Sequence, residues 1–125
     1  MAHKFHITGA ANDQFKFDFS YNGEKIFWSE NYKQKASAKS GIDSLKKNAP
    51  EAKTVDISRD ETGSGYRFEI AEMKNGEHFV RFKAGNGETM VRSEGYSSKS
   101  GAKNCIESVK KNGPNAPVED ETASA

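Results

Sequence analysis

The sequence predicts an α+β fold: two tandem β-β-β-α-β repeats sharing one mainly antiparallel sheet, with two helices on one face. Residues 29–50, SENYKQKASAKSGIDSLKKNAP, return as residues 93–114, SEGYSSKSGAKNCIESVKKNGP, at a constant offset of 64. Ahead of each copy, short apolar-polar alternations run up to an Asn-Gly pair, the pattern of strands joined by a tight hairpin. A unit of about 63 residues buries too little surface to stand alone, and one helix on a three-stranded sheet leaves open edges. Fusing two such units into a continuous sheet answers both problems.

Phe5-x-Ile7 opens the first unit and superposes on Phe68-x-Ile70 at an offset of 63. Phe15-x-Phe17-x-Phe19 follows as a stronger strand, matched at its end by Val80 and Phe82. The offset steps from 63 to 64 between Tyr21-Asn22-Gly23 and Ala84-Gly85-Asn86-Gly87, where a turn absorbs one residue without turning the strand over. Glu24 to Glu30 and Glu88 to Glu94 return as third strands. Helices are expected over residues 35–47 and 99–111, with Ala38, Ile42 and Leu45, or Ala102, Ile106 and Val109, on one face. Asn48 and Asn112, each two residues before a proline, suit left-handed C-terminal caps. Thr54 to Ile57 reads as a fourth strand, whereas Pro117-Val118-Glu119-Asp120 is poorer in apolar residues. The expected organisation is a single pseudo-symmetric domain: repeat one at 3–58, a polar connector at 59–65, repeat two at 66–120, and an acidic tail over 119–125 without structure.

Composition narrows the function classes. Nineteen lysines and arginines against 18 acids give a net charge of +1, far from the global field of a protein that coats nucleic acid. No apolar run exceeds the three residues Ile26-Phe27-Trp28, which excludes a membrane-spanning helix and a secretory signal core. The single cysteine, Cys105, has no internal disulfide partner and reads as a small buried hydrophobe. The chain is therefore expected in the cytoplasm, as a monomer or a dimer.

The doubled S-E-x-Y-x-x-K-x-x-A-K-x-x-I-(D/E)-S-(L/V)-K-K-N stretch, preceded by its Asn-Gly-Glu hairpin, resembles the YegP-like family across residues 3–120. That resemblance implies tandem or dimeric β-β-β-α-β units in one sheet, with the C-terminal strands exchanged between units and residues 54–58 crossing to the second. It brings no established function. Two departures stand out: Asp18 occupies the place of Arg81 in the second copy, and the chain from Val118 is a weak strand.

Candidate sites follow from residue chemistry. His3 and His6 alternate across a strand and cannot chelate one ion together, and no zinc spacing, phosphate loop or nucleophile elbow is present, so no metal, cofactor or catalytic set is expected. Glu30 and Tyr32, with their copies Glu94 and Tyr96, stand just before each helix, where they either hold a small polar ligand or serve as packing and capping groups; packing and capping is the favoured reading. Lys39 and Lys47, with Lys103 and Lys111, give each helix a net +3, either as a solvated face laced by Lys39-Asp43-Lys47 and Lys103-Glu107-Lys111 ladders or as a basic surface for RNA, DNA or an acidic protein. Phe27, Phe79 and Tyr21 are candidates for the sheet face away from the helices, with Lys16, Arg81 and Lys83 nearby. A non-catalytic interaction module, binding a protein or small ligand, is the leading expectation, and nucleic-acid binding through the helices or the open face is the alternative.

Overall fold

The structure is a computed structural model that describes residues 3–59 and 62–122; Asp60 and Glu61 of the expected connector, and the tail from 123, lie outside the described residues. Repeat one contains β1 (His3–Ala10), β2 (Gln14–Tyr21), β3 (Glu24–Ser29), α1 (Lys35–Asn48) and β4 (Lys53–Asp56). Repeat two follows in the same order with β5 (Arg67–Glu72), β6 (His78–Lys83), β7 (Thr89–Ser93), α2 (Lys99–Asn112) and β8 (Val118–Asp120).

All eight strands form one sheet in the order β4-β5-β6-β7-β3-β2-β1-β8. The repeats meet at its centre, where β3 and β7 run antiparallel and Trp28 faces Arg92 across the join. Each unit sends its last strand to the other: β4 lies parallel to β5, and β8 lies parallel to β1. The exchange suggested by the family resemblance is thus present twice. It includes the acid-rich end expected to be unstructured, since Glu119 and Asp120 belong to β8 and the Glu121 N–H donates to the Ile7 carbonyl at 2.9 Å. Backbone pairing along the open edge of β1 makes up for the scarcity of apolar side chains there.

One core lies between the sheet and both helices. Phe5, Ile7, Phe17 and Phe19 sit with Ala38, Ile42 and Leu45 of α1, and Phe68, Ile70, Val80 and Phe82 with Ala102, Ile106 and Val109 of α2. Phe27 and Phe68, whose ring centroids are 6.3 Å apart, join the two halves into one cluster. Six phenylalanines are buried to within 2% of complete, and each contributes about 1.5–3 kcal/mol through removal of its ring from water.

Three expectations are corrected. Asn48 and Asn112 are not left-handed caps: Ala49 and Gly113, next in the chain, keep helical φ values of -61° and -60°, and the helix after Asn48 passes into a 3-10 turn over Ala49–Glu51. The asparagines instead donate through Nδ2 to the carbonyls of Ser44 at 2.9 Å and Ser108 at 3.0 Å, satisfying helix-end acceptors from the side chain. Phe27 is fully buried on the helix side, not on the open face, because a bulge between Phe19 and Ser20 shifts the register after the hairpin by one residue. Tyr21 also lies on the helix side, where its ring meets His3 at 4.4 Å and His3 reaches Ser108 of α2. The matching bulge in repeat two falls between Phe82 and Lys83. The first turn is as expected, with Asn22 and Gly23 at φ values of 51° and 87° in a two-residue hairpin; the second differs, since a longer loop closes with the Ala84 N–H bonded to the Glu88 carbonyl at 2.9 Å and only Gly87 of its Asn-Gly pair takes a positive φ, 88°.

Candidate functional site

The Ser-Glu-x-Tyr corners are structural joints. The Ser29 hydroxyl accepts from the Phe17 N–H at 2.9 Å and donates to the Glu30 carbonyl at 2.8 Å, and Ser93 repeats both bonds with Val80 and Glu94 at 2.9 Å. Tyr32 exchanges two backbone bonds with Phe15, and Tyr96 does so with His78, so each tyrosine folds the chain back onto the second strand of its own repeat. The Tyr32 ring stacks 6.2 Å from Phe17 beneath α1; the Tyr96 hydroxyl meets the Cys105 thiol, whose pKa burial pushes up to about 11. Burial also raises the Tyr32 phenol, with the Glu30 charge acting in the same direction. Glu30 and Glu94 stay exposed and cap no helix: α2 is capped by Ser98, which accepts from the Gly101 N–H at 3.2 Å, and α1 has no side-chain cap. Sequence reading missed the serine, which is the busiest member of the motif. Ser93→Ala should strand the buried Val80 N–H and lower unfolding free energy by about 1–3 kcal/mol, read as a fall in denaturant midpoint at unchanged slope.

The basic helices form two related clefts rather than one continuous surface. Thr54, Asp56, Lys103, Ile106 and Glu107 line a space of about 300 Å³ between α2 and the exchanged β4. Their counterparts Val118, Asp120, Lys39, Ile42 and Asp43 line one of about 320 Å³ between α1 and β8. Each cleft has an ion pair at its end, Lys99 to Asp56 at 2.9 Å and Lys35 to Asp120 at 3.0 Å. Hydrogen bonds from Thr122 and then Lys35 hold the Asp120 carboxyl down at about 2. Lys39, Lys47, Lys103 and Lys111 are exposed and make no ion pair among the described residues, so the predicted i, i+4 ladders do not close.

The sheet face away from the helices carries the denser chemistry. The Arg92 guanidinium lies 4.6 Å from the Phe79 ring centre and 5.7 Å from Trp28, while Arg81, its cross-strand partner, lies 5.9 Å from Phe79. Lys16, Asp18, Lys25, Trp28 and Asn31 surround an adjoining depression of about 490 Å³. Further along, Glu69 is gripped by Arg81 at 2.7 Å, Arg67 at 2.9 Å and Lys83 at 3.5 Å. Burial alone would raise that carboxyl, but the hydrogen bonds from Arg81 and Arg67 outweigh it and the net shift is downward. Gly63 covers this end of the face and lies so close to Val55 that a Cβ there would fall 2.7 Å from Cγ2. Phe79 was legible as an open-face residue; Trp28 was not, because its direction depends on the β3 bulge.

A family model described as a domain of unknown function, DUF1508, matches residues 10–56 and again residues 74–120. The chain belongs to the DUF1508 family. The two matched segments coincide with the internal repeat and end at the same point of each exchanged strand, Asp56 and Asp120. A UPF0339 protein of Pseudomonas aeruginosa is 40% identical over 124 residues, covering 98% of this chain and 100% of the relative. A shorter UPF0339 protein of Mesorhizobium japonicum is 62% identical over 55 residues, which is 44% of this chain but 93% of that protein. Among solved structures, the protein of unknown function yegP from E. coli superposes with a TM-score of 0.78 at 32% identity, covering 100% of this chain and 97% of that one. A UPF0339 protein of Shewanella oneidensis gives a TM-score of 0.77 at 31% identity over 96% and 92% of the two chains. The Mesorhizobium japonicum relative is thus about one repeat long, whereas the Pseudomonas aeruginosa relative matches the tandem pair. The YegP-like fold expected from the sequence is the fold of this chain, and among the described residues no helix is long and apolar enough to cross a membrane.

Proposed function

We propose that this DUF1508 protein is a non-catalytic cytoplasmic interaction module whose binding surface is the open sheet face, and that its partner presents acidic groups beside an apolar contact. The observation that carries this reading is the stack of Arg92 between Phe79 and Trp28 at the join of the two repeats. An uncovered sheet face is ordinarily polar, and aromatic rings there, packed with arginine, make the kind of anchor that dominates protein interfaces. Arg81, Lys16 and Lys25 surround the stack with positive charge, which favours an acidic partner and speeds its encounter.

The test is capture from lysate on immobilised protein, with and without nuclease, using the natural chain and Arg92→Ala. A protein retained equally with and without nuclease, and bound about tenfold or more weakly by Arg92→Ala, supports the module. Capture unaffected by Arg92→Ala, or turnover of a substrate by the pure protein, removes it. The same rings favour a second reading, single-stranded nucleic acid stacking on Trp28 and Phe79 between cationic side chains. Trp28 is the only tryptophan, so its fluorescence reports directly on the face. Quenching by single-stranded RNA or DNA that fades steeply with added salt supports this alternative, and no quenching at low salt excludes it.

A further inference from the structure

We propose a divalent transition-metal site at the outer edge of the sheet, formed by His6 of β1 with Glu119 and Glu121 of the exchanged C-terminal segment. The ligand atoms of these three residues all lie within 4.8 Å of one another, one imidazole nitrogen with two carboxylates. The imidazole Nδ1 faces both carboxylates, in contact with Glu121 and 3.6 Å from Glu119. Its other nitrogen, Nε2, is 3.1 Å from the Ser20 hydroxyl, a partner that fixes the ring with Nδ1 turned toward the two carboxylates.

Asp18 adds a buried carboxylate beside this cluster. Its side chain is only 6% exposed and lines, with His6, Glu121 and Lys25, a cavity of about 260 Å³; its one ion-pair contact among the described residues, with Lys25, is as long as 3.9 Å, and it makes no hydrogen bond among them. The Thr8 hydroxyl, on the same wall, is buried without a hydrogen-bond partner. Repeat two provides the comparison within one molecule. There Glu69 stands in the place of His6 and Arg81 in the place of Asp18, and the arginines and Lys83 satisfy the carboxylate. Repeat one holds two carboxylates on a histidine and a third, Asp18, in the adjoining cavity, with Lys4 bound to Glu119 at 2.9 Å and Lys25 at 3.9 Å from Asp18. A mixed imidazole-carboxylate set suits a first-row ion such as Zn²⁺ better than Mg²⁺ or Ca²⁺, which prefer oxygen alone. With the ion in place, β8 is fastened to β1 through a bond between the end of one repeat and the start of the other.

The experiment is calorimetric titration of chelator-treated protein with Zn²⁺ alone, paired with thermal unfolding in the presence and absence of the ion. The expected result is one Zn²⁺ per chain and a rise in Tm, with affinity about tenfold or more weaker in His6→Ala and in Glu121→Gln but unchanged in His3→Ala. Glu121 is exposed, so its substitution leaves the fold intact, and circular dichroism verifies that. No binding at micromolar Zn²⁺, or binding that survives both His6→Ala and Glu121→Gln, overturns the site.

Discussion

Cut between Arg59 and Tyr66, the protein should yield two fragments, neither of which folds as a monomer. Fragment 1–59 keeps β1 to β3 and α1, but its β4 has lost β5 as a partner, and β1 has lost β8. The central pairing of β3 with β7 disappears as well, as does the contact of Phe27 with Phe68. A unit of this size removes too little apolar surface from water to offset the entropy of ordering its backbone, roughly 1–2 kcal/mol per residue. Each fragment should therefore be unfolded when dilute, or pair with a copy of itself by taking that copy's last strand, with a Tm that rises with concentration. Sedimentation together with thermal unfolding over a concentration series checks this. A fragment that sediments as a monomer and melts cooperatively, with no concentration dependence, would refute it. The half-length relative from Mesorhizobium japonicum shows that a single unit exists in nature, and the present exchange predicts the manner in which such units join.

Phe68→Ala should be the most damaging single change in the core, lowering unfolding free energy by about 3–5 kcal/mol. Its ring is fully buried, 4.8 Å from Phe82 within its own repeat and 6.3 Å from Phe27 in the other. The Lys110 ammonium of α2 lies 5.9 Å from its centre. Removing the ring therefore empties the seam between the halves, where two packed elements cannot both collapse inward. Loss on this scale is a large part of the 5–15 kcal/mol typical of a whole domain. Denaturant unfolding measures it, with Lys47→Ala, on the exposed face of α1, expected within about 0.5 kcal/mol of the natural chain. A Phe68→Ala cost no greater than that of the lysine control would show that the two halves are not joined through this ring.

The repeat made much of the architecture legible. The strong alternation of Phe15, Phe17 and Phe19 located β2, and the spacing of Ala38, Ile42 and Leu45 located the buried face of α1, because each is a local pattern with a large apolar signal. The bulges at Phe19/Ser20 and Phe82/Lys83 were not legible, since one extra residue in a strand has no sequence signature, yet it decides that Phe27 points inward and Trp28 outward. Residues 119–121 depart from expectation for a related reason: β8 is held by the backbone of β1, and a neighbour's backbone is invisible in a strand's own side chains. The candidate lysines show the same limit. Lys39 and Lys103 were found by charge, but their placement in paired clefts depends on strands arriving from the opposite repeat. The joining of His6 to Glu119 and Glu121, across more than a hundred residues of chain, needed the exchange to be known first.

The parallel contact of β1 with β8 also governs how the molecule yields under load. Tension applied between the start of β1 and the end of β8 runs along both strands in opposite senses, so the Phe5-to-Pro117 and Glu121-to-Ile7 bonds are sheared together and not peeled one after another. A clasp loaded in that direction resists extension far better than its three-residue length suggests, and the rest of the fold stays sheltered behind it until the clasp slips.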